Sequence, residues 1–195
     1  DYINQDKSLL YKFMPFNLFA LETIINNTLY FCKPNMLNDP LDCEFKLEIL
    51  NIERFNQKTI NCIKNSRPVF NEKINFSTKN IELLHNQDLQ KKFISEYFNF
   101  DFNENYGVCS FSQTVEENLL WSHYADRAKG ICIVFNKEKL TSSINNNLRN
   151  TYYSITHDYV RYKGVKNLSC ELTRKSELRY TYKHFFSKTK HWSYE

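Results

Sequence analysis

The sequence predicts an α+β fold: a single domain over 1–195 with a mixed central sheet, flanking helices and a helical insertion at about 51–100. Apolar runs of strand length alternate with segments of helical spacing along most of the chain. The segment Gly130 to Phe135 is apolar on both faces, which predicts a strand in the middle of a covered sheet. Glycine and proline number only 3 and 4, which argues against a loop-dominated or disordered chain.

Composition narrows the class further. A chain of 195 residues can bury a sizeable core within one domain. The aromatic fraction is high at 16%, from 16 Phe, 13 Tyr and 2 Trp. The net charge of +4 is spread out, with no block of Lys and Arg, so a nucleic-acid partner is allowed but not indicated. No run approaches the roughly 18 apolar residues of a membrane span. No basic start leads into an apolar stretch either. The expectation is a cytoplasmic protein with no membrane association.

Cysteines stand at 32, 43, 62, 109, 132 and 170. None forms a Cys-x-x-Cys pair or has a zinc-finger histidine nearby, so buried reduced thiols are expected.

Ser8 to Met14 reads as the first strand. Asn17 is placed to cap a helix from Leu18 to about Asn26, with Leu18, Leu21, Ile24 and Ile25 on one face. Thr28 to Cys32 reads as a second strand, followed by the polar loop Pro34 to Cys43. Ile52–Ile63 and Ile81–Phe98 carry helical spacing, with an irregular polar stretch between them. Tyr106 to Ser112 reads as a strand. Thr114 and Glu117 match a capping box for a helix that ends near Gly130, with that glycine just past its C-terminus. A helix follows over Lys137–Asn146, then a strand pair over Tyr152–Ile155 and Asp158–Tyr162, then a helix over Glu171–His184. The final residues, Trp192-Ser193-Tyr194-Glu195, have the texture of a strand beginning, so a further strand is expected beyond Glu195.

The densest chemistry lies in Leu119-Leu120-Trp121-Ser122-His123-Tyr124-Ala125-Asp126. On a helix Leu120 shares a face with Tyr124, and Trp121 with Ala125. Two readings stay open: an aromatic core face, or a pocket lined by Trp121, Ser122, His123 and Tyr124 in which the aromatics stack on a flat ring. Ser122, His123 and Asp126 splay around the helix and do not form a triad. A second candidate is the Asn38-Asp39-Pro40-Leu41-Asp42 loop. There Pro40 restricts Asp39 to extended backbone, and Asn38 or Asp39 could reach a ligand. Asp39, Asp42 and His123 match no metal-ligand spacing, and no metal is expected. A third is Tyr11-Lys12-Phe13, a cation beside aromatics on a strand. No glycine-rich phosphate loop occurs.

Leu10-Tyr11-Lys12-Phe13, Thr28-Leu29-Tyr30-Phe31, Asn38-Asp39-Pro40-Leu41-Asp42-Cys43, Val108-Cys109-Ser110-Phe111-Ser112, Leu120-Trp121-Ser122-His123-Tyr124-Ala125-Asp126, Lys129-Gly130-Ile131-Cys132-Ile133 and Lys190-His191-Trp192-Ser193-Tyr194-Glu195 fall in one order along nearly the whole chain. They resemble the successive blocks of a bacterial family of domains of unknown function that includes the abortive-infection AbiGi-like proteins. The resemblance implies a role in phage defence or a toxin-like system, with a partner protein from the same system and a nucleic acid or protein as target. In that family the first block often carries Arg where this chain has Met14, which leaves Lys12 to supply a cation. The block order is also similar, at the level of fold, to DarT-like ADP-ribosyltransferases. That likeness implies NAD as the cofactor, contacted by Tyr11 and Lys12, with Tyr30 lining the nicotinamide pocket and Trp121 and Tyr124 on its wall. Asn38, Asp39 and His123 would rim the site, and Glu195 would be the catalytic carboxylate. The alternative is a non-catalytic sensor or regulatory subunit acting through an aromatic-rich binding face.

Overall fold

The computed structural model describes residues 8–37, 46–66, 80–151, 153–162, 167–175, 177–180 and 187–188. Among the described residues, helices α1 (Leu18–Ile25), α2 (Gln57–Ser66), α3 (Asn80–His85), α4 (Gln87–Asn105), α5 (Asn118–Tyr124) and α6 (Lys137–Leu148) are interspersed with seven strands. The strands are β1 (Leu9–Met14), β2 (Lys46–Leu50), β3 (Ile131–Asn136), β4 (Arg161–Tyr162), β5 (Asn167–Leu172), β6 (Leu178–Tyr180) and β7 (Ser187–Lys188). The class is α+β, with antiparallel and parallel pairing both present. The described residues fall into two compact units, one drawing on the chain up to residue 32 and on 108–159, the other on 33–107 and 160–190.

In the first unit β1 pairs antiparallel with β3, from Leu9 opposite Asn136 to Met14 opposite Ile131. Single bridges join Tyr11 to Ser112 and Cys32 to Val108. Asn17 caps α1 as its sequence position requires, its Oδ1 accepting from the Ala20 N–H at 3.2 Å. Asn136 caps α6 in the same manner, accepting from the Lys139 N–H. On the β1–β3 ribbon, α5 lays Leu120, Trp121 and Tyr124, with Ala125 just past its end, against Phe13. The apolar residues of α1 do not turn inward as a stripe. Only Ala20 is buried, and Leu18, Phe19, Ile24 and Ile25 are all more than half exposed.

In the second unit β5 is the central strand, parallel to β2 and antiparallel to β6. Leu168, Cys170 and Leu172 alternate along β5 and are fully buried. They pack with Ile60 and Ile63 of α2, Leu83 of α3, and Phe93, Ile94, Tyr97, Phe98 and Phe102 of α4, in two adjoining clusters. Each such aliphatic side chain taken fully out of water contributes about 1.5–3 kcal/mol.

Several expectations are corrected. The helix expected over Glu171–His184 is strand through its first part, since β5 and β6 form a hairpin there; residues 181–186 lie outside the described residues. The reason is the period of two in Leu168, Cys170 and Leu172, which matches one face of a strand and not a helix. Strand β2, in a stretch that the sequence reading assigned to no element, pairs along its whole length with β5. Thr28–Cys32 and Tyr106–Ser112 form isolated bridges and not regular strands. Residues 153–160 form no strand either, and β4 pairs with β7.

The capping box also fails. Thr114 Oγ1 accepts from the Glu116 N–H at 3.1 Å, inside a tight turn. The Trp121 indole N–H donates to the Val115 carbonyl at 2.7 Å. These local bonds hold 114–116 out of the helix, and α5 begins at Asn118 after Glu117, which makes no side-chain cap. Its C-terminus unwinds through Asp126, Arg127 and Ala128, all with positive φ. Gly130 has no positive φ. It is small because a Cβ there would collide with the Met14 carbonyl oxygen and come within 2.9 Å of Ala125. Finally, β3 is not sandwiched between strands. Among the described residues its one strand partner is β1, and Val134 is 51% exposed.

Candidate functional site

Strand alternation on β1 separates the sequence candidates. Phe13 points to α5, where its ring meets Trp121 edge-on, with centroids 5.0 Å apart and planes at 81°. Tyr11 lies on the same side, and Trp121, Tyr124 and Cys132 pack around the same cluster. Trp121 and Tyr124 thus supply a core face on this side, both half-buried. The indole is consumed by Phe13 and by its bond to Val115. His123 is exposed, its ring 6.5 Å from that of Tyr124. Ser122 and Asp126 are exposed as well.

Lys12 points the other way. Its Nζ donates to the Ser110 carbonyl at 3.2 Å and lies 5.6 Å from the centre of the Phe111 ring. Phe111 in turn meets Phe135 edge-on at 5.6 Å. By register, Leu10, Met14, Ile131 and Ile133 share this side of the ribbon, and all are half-buried. The result is an apolar surface carrying one cation and two phenyl rings. Cys109 adjoins it: burial pushes its thiol up, and the nearby Lys12 ammonium opposes that shift by its charge and a hydrogen bond. Burial also raises the Cys132 thiol, against the Lys12 backbone N–H. A cation held to a carbonyl beside an aromatic face can receive an anionic group and a flat ring together.

Of the residues singled out in the sequence, Tyr11, Trp121 and Tyr124 come together, but as packing. Lys12 stands on the opposite side of the same strand. Tyr30 is 67% exposed, two residues before the Cys32 bridge. Asn38, Asp39 and Glu195 lie outside the described residues. Sequence reasoning missed Cys109, Phe111 and Phe135 as neighbours of Lys12. The alternation of Cys109 and Phe111 was legible, but their pairing with β1 was not. Among the described residues, no group of three His, Cys, Asp or Glu side chains is placed to hold a metal. No described helix is long and apolar enough to cross a membrane.

The fold and this surface define an α+β protein with a cation-bearing, half-open sheet face. Residues 120–195 match the model of a family described as protein of unknown function, DUF2971. This agrees with the resemblance to a family of domains of unknown function, and the match takes in α5, β3 and α6. No curated protein and no solved structure matches the chain.

Proposed function

We propose that this chain is a toxin-like effector of a bacterial anti-phage, abortive-infection system that uses NAD, transferring its ADP-ribose to a target or to water. One observation supports this reading: Lys12 is bonded to the Ser110 carbonyl and lies over Phe111 on the face of β1 away from the core. That pairing suits a diphosphate joined to an aromatic base. The bond to nicotinamide would break at the ribose, the leaving ring would carry off the electron pair, and the target nucleophile or water would add at the same carbon. By resemblance Glu195 would orient that nucleophile and support the positive charge developing on the ribose. Trp121 would support the site from behind, through Phe13.

The test is nicotinamide release from NAD by the full-length protein. Lys12→Ala is expected to lower release by at least tenfold, and Glu195→Gln to abolish it. The absence of both nicotinamide release and calorimetric binding at millimolar NAD would end this reading.

A second reading, a non-catalytic sensor or regulatory subunit, is favoured by α1, where Leu18, Phe19 and Ile25 are each more than 70% exposed. It expects a stable complex with a protein of the same defence system, lost on Phe19→Asp. Variants at His123 or Asp39 that destroy activity while leaving such a complex intact would count against it.

A further inference from the structure

The second unit carries basic side chains that neither reading uses. Arg54, Glu171, Thr173, Arg174 and Lys175 line an open cleft of about 410 Å³. A neighbouring cleft of about 360 Å³ is lined by Asn56, Gln57, Lys58 and the same Arg174 and Lys175. The two share Arg174 and Lys175, and among the described residues this basic trough is lined by four cations and a single carboxylate.

That carboxylate is already engaged. Glu171 Oε1 accepts from the Asn51 amide at 3.2 Å and lies 3.7 Å from Arg54 Nη1. Arg54 Nη1 also donates to the Leu172 carbonyl at 3.1 Å, which fixes the guanidinium on the wall. Arg174 and Lys175 occupy the β5–β6 hairpin tip, closed by the Thr173 N–H donating to the Glu177 carbonyl at 2.9 Å. Lys58 stands in the first turn of α2. Among the described residues, no carboxylate lies within ion-pair distance of Lys58, Arg174 or Lys175.

Three cations with no ion-pair partner among the described residues, on a hairpin tip and a helix turn, attract a polyanion. The trough is open, so it suits an extended chain better than an enclosed small molecule. Among the described residues its lining has no aromatic ring, so those residues offer none of the stacking platforms that single strands use. We propose that this trough binds the phosphate backbone of duplex nucleic acid without reading its sequence.

The test uses the full chain and a fluorescein-labelled DNA duplex of mixed sequence, with anisotropy followed across a salt series. Binding should weaken with salt and be indifferent to base sequence. Arg174→Glu with Lys175→Glu should weaken it at least tenfold and lower the salt slope by about two, one per lost phosphate contact. Lys58→Glu alone should cost several-fold. Lys129→Glu with Lys139→Glu, the same charge change in the first unit, should leave affinity within about twofold. Melting curves by circular dichroism would establish that each variant is folded, and Arg174→Gln with Lys175→Gln repeats the test should the charge reversal unfold. The proposal is overturned by no duplex binding, by uptake of tripolyphosphate but not of duplex, or by equal losses in both double variants.

Discussion

Gly130 packs against the Met14 carbonyl so closely that no side chain fits between them. Met14 closes β1, and its register partner Ile131 opens β3. The glycine thus lets the chain leaving α5 turn straight into the sheet. Since Gly130 has no positive φ, the constraint is space and not backbone freedom. Gly130→Ala is expected to destabilise the protein by about 1–3 kcal/mol, the usual cost of overpacking. A melting temperature unchanged from the parent would refute the contact.

The Trp121 helix offers a contrast within two residues. Trp121→Ala removes the edge-on contact with Phe13 and should cost roughly 3 kcal/mol. His123→Ala, at an exposed position, should stay within about 0.5 kcal/mol. Urea denaturation of both variants measures the difference, and a large loss for His123→Ala would mean that its ring is structural.

Lys12 and Cys109 are linked electrostatically. The ammonium draws the Cys109 thiol down against the stronger effect of burial. Lys12→Met should therefore raise that thiol further, reduce its thiolate fraction and slow its alkylation at mildly alkaline pH. Peptide-resolved mass spectrometry after timed iodoacetamide treatment reads this directly. Faster labelling of Cys109 would show instead that the substitution opens the site.

Cys170 carries a pH dependence. Burial pushes its thiol from 9.0 up to about 12. Its folded value is raised, so its contribution to stability is complete below about pH 9 and declines as pH rises from there toward 12. The full loss amounts to roughly 4 kcal/mol at about 1.36 kcal/mol per unit. The alkaline fall in denaturation midpoint should be shallower in Cys170→Ala than in the parent, whatever the offset between them. Parallel curves would disprove the assignment.

Much of the local structure was legible from residue order. Leu9–Met14, Leu18–Ile25 and Lys137–Leu148 stand within two residues of where apolar spacing and, for the first helix, the Asn17 position put them. Period and capping are local physics, carried by neighbours in the chain. The hairpin β5–β6 is not legible from Glu171–His184 alone, because the alternating buried set begins before it, at Leu168.

The sequence by itself determined the α+β class, the strand character of Leu10 to Phe13 and Ile131 to Phe135, and the unsuitability of Ser122, His123 and Asp126 as a triad. These follow from periodicities that any chain of these residues would express. Only the tertiary structure decided that Trp121 and Tyr124 face the core while Lys12 faces away from it. It also decided that β2 and β5 are neighbours, and that Arg54, Lys58, Arg174 and Lys175 share one trough. Those relations join residues more than a hundred positions apart. Pairing register and close packing set them, and no local pattern encodes either.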